Sequence, residues 1–84
     1  MVIEDLESMD HDEFRREYLA SGENDPLESA DGTVYYDCSD ERFLAVFEVE
    51  GEWWYQYLDP YGEYMEGGGH ATAQDALDEV APCW

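Results

Sequence analysis

Two periodicities divide the chain. From Met9 to Ser21 the apolar positions fall at helical spacing: Phe14 and Tyr18 lie one turn apart with Leu19 beside them, a narrow stripe on an acidic segment. Asp10 and Glu13 have the spacing of a capping box, and Met9 and Phe14 stand at the two ends of a hydrophobic staple. The pattern predicts a helix over roughly 11–21, stopped by Gly22. Ile3 and Leu6 fall in a leading segment of turn or coil, and residues 22–32 (GENDPLESADG) read as a loop.

From Thr33 the period becomes alternating. Thr33 to Cys38 reads as a strand, Ser39-Asp40-Glu41 as a turn, and Arg42 to Glu50 as the strongest strand. In that strand Phe43, Ala45, Phe47 and Val49 share one face and Leu44, Val46, Glu48 and Glu50 the other. Glu50-Gly51 predicts a tight hairpin turn into a strand from Glu52 to Leu58. Asp59-Pro60-Tyr61-Gly62 has the residues of a type I turn, and Glu63 to Glu66 reads as a short further strand. Gly67-Gly68-Gly69 reads as a flexible joint. Thr72 is then the expected N-cap of a last helix, with Asp75 in its first turn, Ala73, Ala76, Leu77 and Val80 on one side, and Pro82 at its end. The expected fold is α+β: a single small domain over residues 1–84, in two layers. An antiparallel meander sheet of three to four strands carries an N-terminal and a C-terminal helix on one face.

Charge narrows the function more than the fold does. The chain has 23 Asp plus Glu against three arginines and no lysine, a formal net charge of −20. Direct binding to nucleic acid or to an anionic membrane needs a basic footprint, which is missing. Acidic tails of this charge are usually disordered, but 44% hydrophobic and 15% aromatic residues give this chain a core to fold on. No stretch approaches the ~18 apolar residues of a membrane span. The start, MVIEDLESMD, carries acids where a signal peptide is basic and then apolar. A reducing cytoplasmic setting is expected, in which Cys38 and Cys83 are too few for a disulfide scaffold, although a pairing between them stays open.

Candidate chemistry is thin. Asp10-His11-Asp12-Glu13 places four proton-transfer or metal-ligating groups in a row, but adjacent helical residues diverge, so capping and dipole stabilisation account for them better. Cys38 with His11 or His70 has the residue types of a nucleophile and base. A thiolate needs a positive surrounding, so Cys38 reads as a small buried strand residue. The three glycines before the last helix resemble a phosphate cradle, without the Lys and Ser/Thr that such a loop needs. Trp53-Trp54-Tyr55 with Tyr57 has the rings of a base-stacking platform and none of its cations. Most of these rings are expected in the core. Trp54, grouped with Leu44 and Val46, is expected on the other face, under a helix or at a protein interface. No enzyme activity, cofactor or metal is expected.

The carboxylates remain. Glu48, Glu50 and Glu52 alternate along the Arg42–Leu58 hairpin, and two strand residues advance ~6.6–6.8 Å, the scale of neighbouring phosphates. Residues 1–66 hold all the acids but Asp75, Asp78 and Glu79. A small domain needs a net charge of only ~2–8 for solubility, and the surplus here costs stability through self-repulsion. A basic partner is the simplest compensation.

In size, charge, lack of lysine and acid-rich α+β layout, with Glu48, Glu50, Glu52, Asp59, Glu63 and Glu66 along its strands and turns, the chain resembles the DNA-mimic proteins that phages use against bacterial defences, the acidic anti-CRISPR and anti-restriction inhibitors. The resemblance is one of character and carries no shared motif. It implies an inhibitor that occupies the Lys/Arg channel where a Cas effector or restriction nuclease holds DNA, in the host bacterial cytoplasm; monomer and homodimer both stay open, a dimer if the aromatic hairpin leaves one face uncovered. The residues expected at such a contact are Glu48, Glu50, Glu52, Glu63 and Glu66 from the sheet, with Asp12, Glu13 and Glu17 from the first helix. Tyr61 and Tyr64 are the expected anchors. Two other readings compete. A salt-adapted domain of unrelated function would also be acidic and lysine-poor, with its acids spread evenly. An acidic module shielding some other basic protein would look the same.

Overall fold

The computed structural model describes residues 1–14, 16, 32–39 and 41–84. Five strands form one antiparallel sheet in the order β1-β2-β3-β4-β5: β1 (Glu7–Asp10), β2 (Thr33–Ser39), β3 (Arg42–Val49), β4 (Glu52–Leu58) and β5 (Tyr64–His70). A four-residue helix, α1 (His11–Phe14), follows β1, and α2 (Ala73–Val80) follows β5. Short 3-10 turns, Ile3–Asp5 and Ala81–Cys83, flank the whole.

The local signals act where expected at several points. β3 turns into β4 through Glu50-Gly51, both at positive φ (52° and 84°), a twist that suits a two-residue hairpin. The Thr72 hydroxyl accepts the Asp75 N–H at 3.1 Å and caps α2. Asp59 organises the next turn: its backbone carbonyl accepts from the Gly62 N–H, and its Oδ1 accepts from the Tyr61 and Glu63 N–H groups at 2.9 and 2.8 Å. Of the helix expected over 11–21, His11–Phe14 is helical, and Tyr18, Leu19 and the loop to Asp31 lie outside the described residues. Asp10 Oδ1 accepts the Asp12 N–H at 3.0 Å, a cap on Asp12 and not on Glu13 as the capping box has it, and Met9 packs on the cluster that holds Phe14.

Four expectations are corrected. The sheet has five strands, because Glu7–Asp10 pairs with β2 (Glu7 opposite Tyr36, Met9 opposite Val34) instead of remaining coil. The expected two layers, with both helices on one face, are replaced by a core on each face. Leu44, Val46, Tyr55 and Tyr57 lie under Ala76, Leu77 and Val80 of α2, with Ile3 beside them. Val34, Tyr36, Ala45 and Phe47 lie under Phe14 of α1. β3 is therefore buried on both sides from Leu44 to Phe47, and each such side chain contributes about 1.5–3 kcal/mol if large. Trp54 belongs to the α1 face, opposite Phe47, and not with Leu44 and Val46. A two-residue loop pairs Val49 with Glu52, and that parity carries Trp54 to the Phe47 side.

The fourth correction concerns the glycines. Gly67, Gly68 and Gly69 extend β5 to His70 and form no joint. A Cβ on Gly67 would stand 2.6 Å from Tyr55 Cε1, and one on Gly68 only 2.1 Å from Trp54 Cδ2. Aromatic rings from β4 lie flat over both faces of the edge strand, and only glycine lets them approach so closely. Gly68→Ala is expected to cost about 1–3 kcal/mol, lowering the melting midpoint by roughly 4–8 °C per kcal/mol. A calorimetric scan checks it, and an unchanged midpoint would mean that the Trp54 ring does not rest on this strand.

Candidate partner-binding surface

No described Asp or Glu is buried; Asp37, Glu48 and Asp59 are half-buried and the rest exposed. Cations do little to neutralise them. His70 Nε2 and Glu79 Oε2 are 2.5 Å apart, a hydrogen bond that ties β5 to α2. The Arg42 guanidinium lies over the Trp84 ring, 4.5 Å from its centroid, and donates to the Trp84 carbonyl. Trp84 in turn meets Tyr57 edge-on at 6.0 Å. Arg42 thus anchors the last residue to the sheet.

The acids expected to form one row do not share a face. Glu48 lies opposite Trp53 on the α2 face, Glu50 sits in the hairpin turn, and Glu52 lies opposite Val49 on the α1 face. The same two-residue loop that moves Trp54 separates Glu48 from Glu52. Glu63 and Glu66 stand at the other end of the sheet, with the 94% exposed Tyr61 in the adjoining turn. Glu66, opposite Gln56, stands four residues along β4 from Glu52, about 13 Å, and Glu63 lies beyond the far end of that strand. Asp12 and Glu13 are exposed on α1, and Glu17 lies outside the described residues.

One cross-strand row on the α1 face was not anticipated. Glu7, Tyr36, Ala45, Gln56 and Glu66 face one another in turn across all five strands, about 19 Å from edge to edge. The Tyr36 hydroxyl donates to Glu7 Oε2 at 3.0 Å. At the far edge Gln56 Nε2 donates to the Tyr64 hydroxyl at 3.0 Å, and that hydroxyl donates to Glu66 Oε2 at 2.6 Å. Glu7 gave little signal in sequence, because β1 has a single apolar residue to mark its alternation. Gln56 was visible only as the polar member of an aromatic strand.

Nucleophilic chemistry finds no support. Cys38 is exposed, not buried as expected, and both cysteines are free. Desolvation first, then the Asp37 and Glu7 charges, push the Cys38 thiol up, away from the thiolate. His11 is buried against Phe47, ring centroids 5.9 Å apart, while Asp10, Asp12 and Glu13 face solvent, so the four do not converge. Among the described residues no group of three or more His, Cys, Asp or Glu is placed to hold a metal, and no helix is long and apolar enough to cross a membrane.

Two tyrosines are also pushed up. Tyr64 is raised strongly, by desolvation first and then by its bond to Glu66, and Tyr55 by desolvation and then the Glu79 charge. A group whose folded pKa exceeds its unfolded value stabilises fully below the unfolded pKa and loses that contribution as pH rises. Stability is therefore expected to fall as pH climbs above ~10, the unfolded tyrosine value. Melts between neutral pH and that range test it: Tyr64→Phe should flatten the alkaline loss, and an equal slope in both proteins would contradict the assignment. Comparison with protein-family models, with curated proteins and with solved structures gives no match for the chain.

Proposed function

We propose that the protein is an acidic nucleic-acid mimic, of the anti-CRISPR type that phages direct at bacterial defences, and that it works by occupying the basic DNA-binding surface of a Cas effector or related nuclease. The observation that carries this reading is a folded body with exposed, unneutralised carboxylates at duplex-like density. Among the described residues 17 carboxylates, none of them buried, stand against Arg16 and Arg42 on a body 31 Å in its longest extent, and at one charge per ~1.7 Å a duplex of that length presents about 18. The mechanism is competition. The field steers the protein to a groove of opposite sign, fastest at low salt, and Tyr61 with Tyr64 adds contact area that salt does not screen. No side chain needs to do chemistry.

The test is displacement. A labelled duplex held by a Cas effector or restriction nuclease should be released on adding the protein, with a potency that falls steeply as salt rises. Retention of the duplex across a panel of such enzymes at low salt would overturn the reading.

One observation favours a second reading, salt adaptation. Acids stand on both sheet faces, in the turns at Glu41, Glu50 and Asp59 and on α2 at Asp75, Asp78 and Glu79, which suits a surface selected for hydration. That reading requires molar salt for folding, where the Debye length is ~3 Å. A fold that persists in dilute buffer excludes it.

A further inference from the structure

We infer that Gln56, Tyr64 and Glu66 form a seat for one guanidinium group of the basic partner; this rests on the mimic reading and names the contact within it. The evidence is a polar group buried in the wrong state. Gln56 is 2% exposed, and its Oε1 has no hydrogen-bond partner among the described residues. An unmade bond at a buried carbonyl is costly, and a native fold rarely keeps one without a use.

The direction of the chain of bonds makes this assignment unambiguous. The Tyr64 hydroxyl has one proton, and Glu66 Oε2, only 2.6 Å away, takes it. The bond from Gln56 at 3.0 Å must then be donated by Nε2, which leaves Oε1 as the orphan. Glu66 lies directly across the ladder from Gln56 and is exposed, and Tyr64, 39% exposed, bonds to both through its hydroxyl. The site therefore offers two acceptors, one charged and one neutral, beside an aromatic face.

That combination suits a guanidinium better than an ammonium. A planar fork donates in two directions at once and stacks on a ring, whereas an ammonium is a compact charge that holds its water. A swing of the Tyr64 ring admits the group. One N–H pair then meets the Glu66 carboxylate, another satisfies Gln56 Oε1, and the ring closes over the plane.

Two capped, glycine-spaced peptides of equal length test the seat, one with arginine as its only cation and one with lysine, titrated against the full chain by calorimetry. The arginine peptide should bind about tenfold more tightly, the return on one charge-assisted hydrogen bond. Gln56→Leu leaves the net charge untouched and should erase that preference without weakening the lysine peptide. Glu66→Gln, at an exposed position where folding is not at stake, should weaken the arginine peptide more than the lysine one. Equal affinity of the two peptides for the unmodified protein, or a preference that survives Gln56→Leu, overturns the seat and leaves the polyanion reading standing. Failure of both peptides to bind at low salt overturns both.

Discussion

Changing Glu52, Glu63 and Glu66 together to lysine is expected to weaken binding to a basic partner by on the order of 10²–10³-fold and to raise the melting midpoint. Each reversal adds two charges, so −20 becomes −14. All three side chains are exposed and none supports the core, so the fold has nothing to lose but the Tyr64–Glu66 bond. An exposed ion pair contributes only ~0.2–1 kcal/mol, and reversal replaces attraction by repulsion of similar size, so three positions sum to a few kcal/mol. Stability should move the other way, because self-repulsion of a strongly charged body falls as its charge falls. Binding that weakens while folding strengthens is the signature of charge kept for a partner. Weakening of both would mean that the three residues act through structure.

Phe47→Ala is expected to cost about 3–5 kcal/mol and to make folding conditional on salt. Phe47 is buried between His11 and the strand residues of the α1 face, with Trp54 opposite it across the hairpin. A domain of 84 residues holds roughly 4–13 kcal/mol in all, so this one truncation takes much of the margin. The remainder depends on screening. At 0.01 M salt the Debye length is ~30 Å, about the 31 Å extent of the molecule, so every carboxylate feels the others; at 1 M it is ~3 Å. Circular dichroism melts across that range should show the unmodified protein folded throughout with a rising midpoint, and Phe47→Ala folded only toward the high end. A midpoint indifferent to salt would remove self-repulsion from the energetics. An unmodified protein that unfolds in dilute buffer would favour the salt-adapted reading.

The elements that could be read from sequence are those whose signal is local. Glu50-Gly51 marks a turn because a two-residue hairpin needs positive φ at both positions, and Thr72 marks a helix start because its hydroxyl sits three residues before an unbonded N–H. The features that escaped are tertiary. Gly67-Gly68-Gly69 has poor strand propensity and looks like a joint until the rings of Tyr55 and Trp54 are laid over it. β1 has one apolar residue, Met9, and becomes a strand only because the edge of β2 is there to pair with it. The candidate surface divides in the same way. Its charge was plain in composition, but whether Glu48 and Glu52 stand together depends on the parity of the hairpin pairing, and the role of Gln56 depends on burial that no local pattern records.

Recovery of a partner by the tagged protein from bacterial lysates rich in Cas or restriction complexes tests the central claim most directly. Bound material is eluted by a salt ramp and, separately, by added duplex DNA. A mimic should retain a nucleic-acid-binding enzyme at low salt, and duplex should release that same enzyme without any change in salt. A bait that stays empty at low salt, where electrostatic capture is strongest, or one whose bound protein duplex DNA fails to displace, would contradict the claim.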